Sequence, residues 1–525
     1  MGFLFDNGRN CVYNLCYDNR VGGVPLLRNI LKHIMLAACA VLLIGAMAAP
    51  AAAQELPQAE DISGRKLVEK QKGFGSVHML FDGRTKEPVK FREDSYLLLA
   101  HEGGIGSLYL IFDGPYGDYT ITVPDTDQTF TAGTSGFLHE YLDLEAIFGT
   151  APVRVQLSFA EGGKLNELYA FTPGGVPDFV QKWEPPAEGK TDIALFSTHG
   201  DDEQLFFAGL LPDYAGERDC QVQVIYMTDH RNMTNRRAHE MLDGLWAVGV
   251  KTYPVFGKFG DYNSRSKVEA YQKYRQKGIV KQDILSFVVE QLRRFRPKVA
   301  VGHDLEGEYG HGMHMIYAEL LCKAVEISAD PQEYPKSAEV YGTWDVPKTY
   351  LHLYPDNPIL LDWDQPLQSF GGMTAYEVTK NLGFPSHASQ QSYYSWYFSG
   401  KDTAAEITQY SPREFGLYRS TVGEDAEKND FLENVTTYAQ DAAMEQQRRE
   451  EEARRKAEEA ARLADAAEKQ RQAELAARQM EPPAEPEPEK GEKIPIAVPG
   501  LGFAALAALA AAAVLTLRRK KEIKN

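Results

Sequence analysis

The amino-acid sequence predicts an α/β fold with a Rossmann-like, mostly parallel sheet and helices on both faces, preceded by an antiparallel β-sandwich. The first observation is that short apolar runs, at residues 193–196, 222–227 and 298–301, alternate with segments of helical periodicity. Repeated strand-helix units of this kind predict a parallel sheet covered by helices. The second observation is that residues 153–159 alternate apolar and polar side chains, as strands of an antiparallel sandwich do.

The chain of 525 residues is too long for one hydrophobic core, so we expect several domains. Its composition changes at a Pro-rich stretch and again where Ala, Glu, Arg and Gln dominate. The later stretch lacks a Leu or Ile heptad, which favours a lone charged helix over a coiled coil. These changes predict a leader or signal peptide at 1–53, a β-sandwich at 60–184, an α/β domain at 190–435, a charged helical stalk at 436–480, a Pro/Glu linker at 481–493 and a transmembrane or sorting segment at 494–517.

Both ends of the chain carry targeting signals. Basic residues precede an apolar run at 34–49, and three alanines follow it, which predicts a secretory signal peptide; an uncleaved anchor is the alternative. The apolar run at 494–517 is long enough to cross a bilayer, and the basic tail after it predicts that the rest of the chain lies outside the cell. We therefore expect an exported, cell-surface protein anchored in the membrane through its C-terminus, unless the last segment is a processed sorting signal.

The net charge and the cysteine content exclude some kinds of partner and some kinds of fold. The formal net charge of -18 argues against nucleic acid as a partner. Only Cys220 and Cys322 lie beyond the predicted leader, so a framework of several disulfides is excluded even for an exported chain.

Two polar clusters follow predicted strands of the α/β region. The first places His199, Asp201 and Asp202 directly after residues 193–196. Neighbouring carboxylates repel one another unless a cation or a proton holds them together, so this cluster predicts a metal. The second cluster places His311 and His314 three residues apart at the start of a helical segment, so that both can face the same way. Three protein ligands with one open position are typical of catalytic zinc.

These clusters resemble the PIG-L/LmbE-like zinc de-N-acetylases, a family that includes N-acetylglucosaminyl-phosphatidylinositol de-N-acetylase. That family carries a His-Pro-Asp-Asp-Glu signature and a later Gly-His-x-x-His signature. Gly200 replaces the proline here, which predicts a looser turn, and Met313 stands where an acidic residue is frequent. Further similarity is found at residues 237–240 and 387–390, so that the resemblance covers roughly residues 190 to 400. Separately, residues 165–171 resemble the closing strand of galactose-binding-like domains.

The family resemblance implies a zinc ion on His199, Asp202 and His314, with Asp201 as the general base. It implies His311 and Tyr309 as donors to the oxyanion, and either His311 or Asp201 as the acid that protonates the leaving amine. His303, Asp304 and Glu308 are expected to be loop or supporting groups, and His230 and His239 to be structural or exposed.

The implied function is removal of the N-acetyl group from an N-acetylglucosamine-type sugar on a surface glycan or glycoconjugate. Two alternatives stay open: a zinc amidase acting on a non-sugar acyl amine, and a glycan-binding surface protein without catalytic activity. The sandwich could bind glycan or only pack against the α/β domain. The aromatic-rich residues 341–400 could form a substrate wall or a packed core.

Overall fold

The computed structural model describes residues 57–230 and 236–479. The predicted signal peptide at 1–53, the linker at 481–493 and the apolar segment at 494–517 all lie outside this range. Within the described range, no helix is both long and apolar enough to cross a bilayer. The chain divides into two compact units, one ending at Ala442 and the other starting at Ala443.

Strands and helices follow one another along the described chain. The strands are β1 (Val68–Phe74), β2 (Val89–Ala100), β3 (Ser107–Phe112), β4 (Tyr119–Val123), β5 (Gln128–Ala132), β6 (His139–Asp143), β7 (Arg154–Phe159), β8 (Gly163–Phe171), β9 (Ile193–Ser197), β10 (Val222–Tyr226), β11 (Val299–Gly302), β12 (Lys348–His352), β13 (Pro358–Leu360) and β14 (Glu414–Ser420). The α-helices are α1 (Leu144–Phe148), α2 (Asp202–Leu205), α3 (Arg236–Ala247), α4 (Lys267–Gln276), α5 (Lys281–Phe295), α6 (Gly312–Ile327), α7 (Pro335–Tyr341), α8 (Ala375–Val378), α9 (Gln391–Tyr397) and α10 (Tyr438–Gln479).

The first sheet has eight strands in the order β5-β4-β7-β2-β8-β3-β6, with β1 paired to β2. The pairs are antiparallel, as the alternating pattern predicts. Strand β2 pairs with β8 at residues 89–91 and with β7 at residues 95–100, and Asp94 between them has a φ of 54°. Because β2 joins both sets of neighbours, the strands of the N-terminal region are connected by hydrogen bonds into one antiparallel sheet, and the division of this region into the two layers of a sandwich stays a prediction.

The second sheet has the order β10-β9-β11-β12-β14-β13. Its first four strands are parallel, and β14 and β13 extend it antiparallel, so the prediction of a mostly parallel sheet is confirmed. Alternate residues of β9 enter different cores: Leu195 packs with residues of α3, and Phe196 packs with residues of α5 and α6. Helices therefore cover both faces, as expected of this class.

The apolar run at residues 205–211 has the composition of a helix, but the structure does not form one continuous helix there. Helix α2 ends at Leu205, and a wider π-type turn begins only at Leu211. Between them Gly209 has a φ of 92°, and a Cβ at that position would lie 2.3 Å from the Trp363 ring. The left-handed backbone and the close approach of Trp363 break the helix that the apolar pattern predicts.

Helix α10 is long and solvated. Its 42 residues correspond to about 63 Å at 1.5 Å per residue. From residue 446 to 478 its side chains are exposed, and ion pairs such as Glu452–Lys456 and Asp465–Lys469 connect successive turns. This pattern agrees with a lone charged helix, in which such pairs contribute small stabilising increments.

Candidate active site

The two polar clusters meet at one edge of the central sheet. Strands β9 and β11 are parallel neighbours, so their carboxyl ends lie side by side. The loop after β9 carries His199 to Asp202, and the segment after β11 carries His303 to His314. Ligand sites in parallel α/β sheets form at this edge, outside the carboxyl ends of the strands.

Three donor atoms from the two clusters converge. His199 Nδ1 lies 3.1 Å from Asp202 Oδ2 and 3.1 Å from His314 Nε2, and His314 Nε2 lies 3.3 Å from Asp202 Oδ2. All three residues are buried. The structure thus brings together the side chains that the family resemblance names as metal ligands.

The orientation of the two rings leaves their converging nitrogens free to bind a cation. His314 Nδ1 faces Glu308 Oε2 at 2.6 Å, and His199 Nε2 faces Asp261 Oδ1 at 3.2 Å. With protons on those outer nitrogens, three lone pairs point at one another, and they require a cation or extra protons between them. A carboxylate behind a ligating imidazole is the usual way in which metal sites fix its tautomer. The donor set of two imidazoles and one carboxylate therefore fits a divalent metal.

The pKa shifts of the same three groups also indicate that positive charge is stabilised between them. Burial disfavours a charged ring at His199, but the carboxylates of Asp261 and Asp202 outweigh it and raise the pKa of His199 to about 10. Burial likewise opposes charge at His314, yet Asp202 and Glu308 raise its pKa to about 9. Burial also works against ionisation of Asp202, but the facing histidines hold the pKa of its carboxyl well below the ordinary value. A bound metal can supply the charge that these protons otherwise provide.

Glu308 organises the floor of the site. Its fully buried carboxylate accepts from His314 at 2.6 Å, from His303 at 2.9 Å and from His352 at 2.7 Å. Burial opposes ionisation, but the His303 and His314 rings lower its pKa well below the ordinary value. The expectation of a supporting role for Glu308 agrees with this geometry.

Two other groups of side chains also have the spacing of a metal site, His199 with His311 and His314, and Asp202 with His303 and His314. The lone pair of His303 is already used, because its Nε2 accepts the Thr198 amide proton at 3.0 Å while its Nδ1 faces Glu308. His303 is therefore a structural support. His311 Nδ1 is buried without a hydrogen-bond partner, so this ring stays available.

Asp201 lies beside the converging atoms and lines the same cavity. Its Oδ1 accepts from Arg237 at 3.1 Å, and the same guanidinium nitrogen reaches the Gly200 carbonyl at 3.1 Å. Burial raises the pKa of Asp201 above its ordinary value, against the opposing effect of Arg237. A carboxylate with a raised pKa is a stronger base, as proton abstraction from water requires.

His311 and Tyr309 border the cavity on its other side. The His311 ring centroid lies 4.9 Å from that of His199, and the Tyr309 centroid lies 5.5 Å from that of His311. Burial and the neighbouring His199 lower the pKa of His311 to about 3, so the ring is neutral at pH 7. Tyr309 has a φ of 48°, an unfavourable backbone region for a large residue that is typical of functional sites.

The two departures from the family motifs have structural explanations. Gly200 N donates to His230 Nε2 at 3.1 Å, a bond that proline cannot make, and a Cβ there would meet Met241 Sδ at 2.3 Å. His230 therefore helps to hold this turn in place, and the expectation of a looser turn stays a prediction. Met313 is buried among apolar side chains, and the carboxylate that orients His314 comes from Glu308.

Two residues of the site were not found from the sequence. Asp261 contacts His199 from the loop before α4, and His352 contacts Glu308 from the end of β12. Neither residue lies in a motif. The only available signals were the position of His352 at the end of a neighbouring strand and the position of Asp261 on a loop that faces the site. The remaining motif residues meet behind the site, where Glu240 accepts from the Ser389 amide at 3.0 Å and His387 Nε2 lies 3.0 Å from Glu203 Oε1.

A cavity of about 600 Å³ opens above these groups. Its volume falls within the range of about 300 to 1,000 Å³ that is usual for small-molecule sites. Its lining is mostly polar and includes Arg237, Asp261, Ser264 and Gln390. The Ser264 hydroxyl is buried without a hydrogen-bond partner, so it is free to contact a polar ligand.

No protein-family model matches the chain. A 1D-myo-inositol 2-acetamido-2-deoxy-alpha-D-glucopyranoside deacetylase 1 from Catenulispora acidiphila is 28% identical over 226 residues, covering 38% of this chain and 68% of that protein. The corresponding deacetylase from Streptomyces avermitilis is 24% identical over 184 residues, covering 31% of this chain and 61% of that protein. The chain thus spans about two thirds or less of the length of these relatives.

Among solved structures, the N,N'-diacetylchitobiose deacetylase from Pyrococcus horikoshii aligns with 14% identity and a TM-score of 0.28, over 44% of this chain and 84% of that chain. A TM-score of this size supports no conclusion about function. The sequence relatives and the four motifs confirm the resemblance: the chain is a relative of the PIG-L/LmbE-like de-N-acetylases.

Proposed function

We propose that the protein is a zinc-dependent hydrolase that removes the acetyl group from an N-acetylated amino sugar of the N-acetylglucosamine type. The observation that supports this best is the convergence of His199, Asp202 and His314 beside Asp201 at a polar cavity. The similarity to deacetylases of an acetamido-glucopyranoside favours this sugar over a non-sugar acyl amine.

Zinc suits the donor set of two imidazole nitrogens and one carboxylate oxygen, which leaves a fourth position open. Bound there, the ion would supply a Lewis acid and lower the pKa of a bound water towards about 7. His199, Asp202 and His314 would hold the ion, and Glu308 and Asp261 fix the two imidazole rings.

Asp201 accepts the proton of the attacking water. Arg237 holds Asp201 Oδ1 at 3.1 Å, which fixes the carboxylate at the cavity wall. The water oxygen forms a bond to the acetamide carbon, and the carbonyl oxygen takes up the negative charge. His311 and Tyr309 are placed to donate hydrogen bonds to that oxygen.

Collapse of the tetrahedral adduct breaks the carbon–nitrogen bond and releases acetate. The leaving nitrogen needs a proton, and Asp201 then carries the one that it took from water. The low pKa of His311 makes a protonated imidazole scarce at neutral pH, which favours Asp201 over His311 as the proton donor. The products are acetate and a free amino sugar.

The cellular location and the natural substrate can be proposed from the two ends of the chain. We propose that the enzyme works outside the cell on a surface glycan or glycoconjugate, on the strength of the sequence signals at residues 1–53 and 494–517.

Acetate release from N-acetylglucosamine and its oligomers, with and without a chelator, tests the proposal. We expect release that stops on chelation and returns with zinc. Stoichiometric zinc without acetate from any amino sugar, together with release from simple acyl amines, would instead indicate the amidase alternative. Glycan binding with no turnover of any amide would indicate a binding protein.

A further inference from the structure

Helix α3 lies between the first sheet and the turn that carries the catalytic base. One face of the helix contacts that turn: Arg237 donates to Asp201 Oδ1 and to the Gly200 carbonyl, each at 3.1 Å. On the same face, Met241 packs so closely on Gly200 that a Cβ there would lie 2.3 Å from the Met241 sulfur. Residues 237 and 241 are one helical turn apart, so this face of α3 sets the position of Asp201.

The opposite face of α3 contacts the first sheet and the segment that follows it. His239 comes two residues after Arg237, which places it about 200° further around the helix. His239 Nδ1 lies 2.7 Å from His139 Nε2 of β6, and the two rings stack with their centroids 5.0 Å apart. One turn later, Asp243 Oδ1 accepts from Gln181 at 2.6 Å. The same helix therefore contacts the first sheet on one side and the base on the other.

The first sheet and the α/β domain also share a buried core at this point. Leu138 is 1% exposed and packs in the same core as the buried apolar residues of α3, and its amide donates to Tyr253 Oη at 3.0 Å. His139 is fixed from its other side by Tyr109 of β3, whose hydroxyl lies 3.0 Å from His139 Nδ1. Tyr109, His139 and His239 thus form a buried chain in which each side chain is bonded to the next. A buried polar chain of this kind specifies one arrangement of the elements that it joins.

We propose that the first sheet is a positioning part of the active site, which fixes α3 through the contact between His139 and His239 and thereby holds Arg237 against the base Asp201. His139 and His239 are positioning residues, because neither lines the cavity. The inference rests on the proposed function, in which Asp201 takes a proton from the attacking water. It adds that the N-terminal region is needed for turnover whether or not it binds glycan.

A first sheet that only covers the α/β domain fits these contacts less well. Apolar side chains alone could cover α3, and burying polar groups is unfavourable unless each finds a partner in a defined geometry. A directional bond from β6 to α3 restricts both the rotation of the helix and its position along the axis. Because this bond reaches α3 two residues from Arg237, the restriction applies at the point where the helix holds Asp201.

Two substitutions of His139 separate its contact with His239 from its contact with Tyr109. The amide of glutamine can reach the position of Nε2, whereas the shorter asparagine reaches only the position of Nδ1, which faces Tyr109. We expect His139→Asn to lower kcat by about 3- to 30-fold, since a misplacement of about 1 Å can cost up to about 10²-fold in rate. KM and zinc content should stay close to the wild-type values, and His139→Gln should restore most of kcat.

Leu157→Ala is the matched control, because Leu157 is buried in the core of the first sheet, a cluster that contains no residue of α3. It should lower the free energy of unfolding but leave the kcat of the folded enzyme unchanged. If His139→Asn does not fold, Tyr109→Phe removes only the hydroxyl that fixes His139 and should lower kcat by about 2- to 5-fold. A wild-type kcat in the folded variant, or an equal loss in Leu157→Ala, would overturn the proposal.

Hydrogen exchange of the full chain separates failure of this inference from failure of the proposed function, because it needs no turnover. Peptides that cover residues 198–205 and 236–247 report on the turn of the base and on α3. Faster exchange of both peptides in His139→Asn, but not in Leu157→Ala, supports the positioning contact even if no acetate is released from any sugar. Unchanged exchange at residues 198–205 in His139→Asn would overturn it even if the enzyme deacetylates N-acetylglucosamine.

Discussion

Two groups of buried histidines in this protein differ in what surrounds them. In the active-site group, His199 and His314 face the carboxylates of Asp202, Asp261 and Glu308. In the second group, which we call the interface pair, His139 Nε2 lies 2.7 Å from His239 Nδ1 and joins the first sheet to helix α3. The pKa of His199 is raised to about 10, whereas burial lowers the pKa of His239 to about 4.

The surroundings explain the opposite shifts. The interface pair is bonded to a neutral phenol, with Tyr109 Oη 3.0 Å from His139 Nδ1, and burial together with the facing ring lowers the pKa of His139 as well. The carboxylate of Asp243 is 3.8 Å away, but its side chain is 49% exposed and water screens it. Burial of histidines alone therefore does not make a metal site: buried carboxylates and an adjoining cavity do.

The largest effect is expected at Asp201. Asp201→Asn removes the base but keeps the size of the side chain, so kcat should fall by about 10²- to 10⁴-fold while the metal stays bound. Acetate release and metal content are to be measured on the same sample.

Asp304→Asn is the matched control, because Asp304 lies on the loop after β11 and does not line the cavity. It should keep wild-type activity. An Asp201→Asn enzyme with more than a tenth of the wild-type kcat would remove Asp201 from the mechanism.

The interface pair should make the stability of the folded protein depend on pH. Between pH 6.5 and 4 the unfolded chain protonates His239, but the folded chain does not, so the free energy of unfolding falls as pH decreases. For His239 this loss is about 3 kcal/mol across that window. His239→Gln should lessen the loss by that amount in urea titrations at pH 7 and pH 4.

The control for this experiment is His78→Gln, because His78 is exposed on a short 3-10 helix between β1 and β2. Its pH profile should match that of the wild type. If His239→Gln loses as much stability on acidification as the wild type, the interface pair is not held neutral in the folded protein.

A smaller effect is expected at Glu308, which orients His314 without contacting the metal position. Glu308→Gln keeps the shape but removes the charge, and groups of this kind are worth about 10- to 100-fold in metal affinity. Competition with a chromogenic chelator gives the zinc dissociation constant. Glu306→Gln, exposed on the same loop, should leave it unchanged, and an unaltered constant in Glu308→Gln would mean that His314 needs no carboxylate behind it.

The sequence could predict the parts of the site that are local. His199, Asp201 and Asp202 share one turn, and β9 and β11 were recognisable as buried strands whose ends meet. It could not reveal Asp261 or His352, because their contacts join segments that are far apart along the chain and follow no fixed spacing. The break at Gly209 was missed for the same reason, since Trp363 comes from a distant loop. The pairing of β2 with two sets of neighbours likewise depends on strand partners that an alternating pattern does not specify.

Metal content of purified variants tests most directly whether carboxylate-flanked histidines form the metal site. After exposure to zinc and desalting, wild type and His239→Ala should each retain about one ion per chain, and His199→Ala and His314→Ala should retain almost none. Full retention of zinc by His314→Ala, or its loss in His239→Ala while the fold is intact, would contradict the assignment of the two groups.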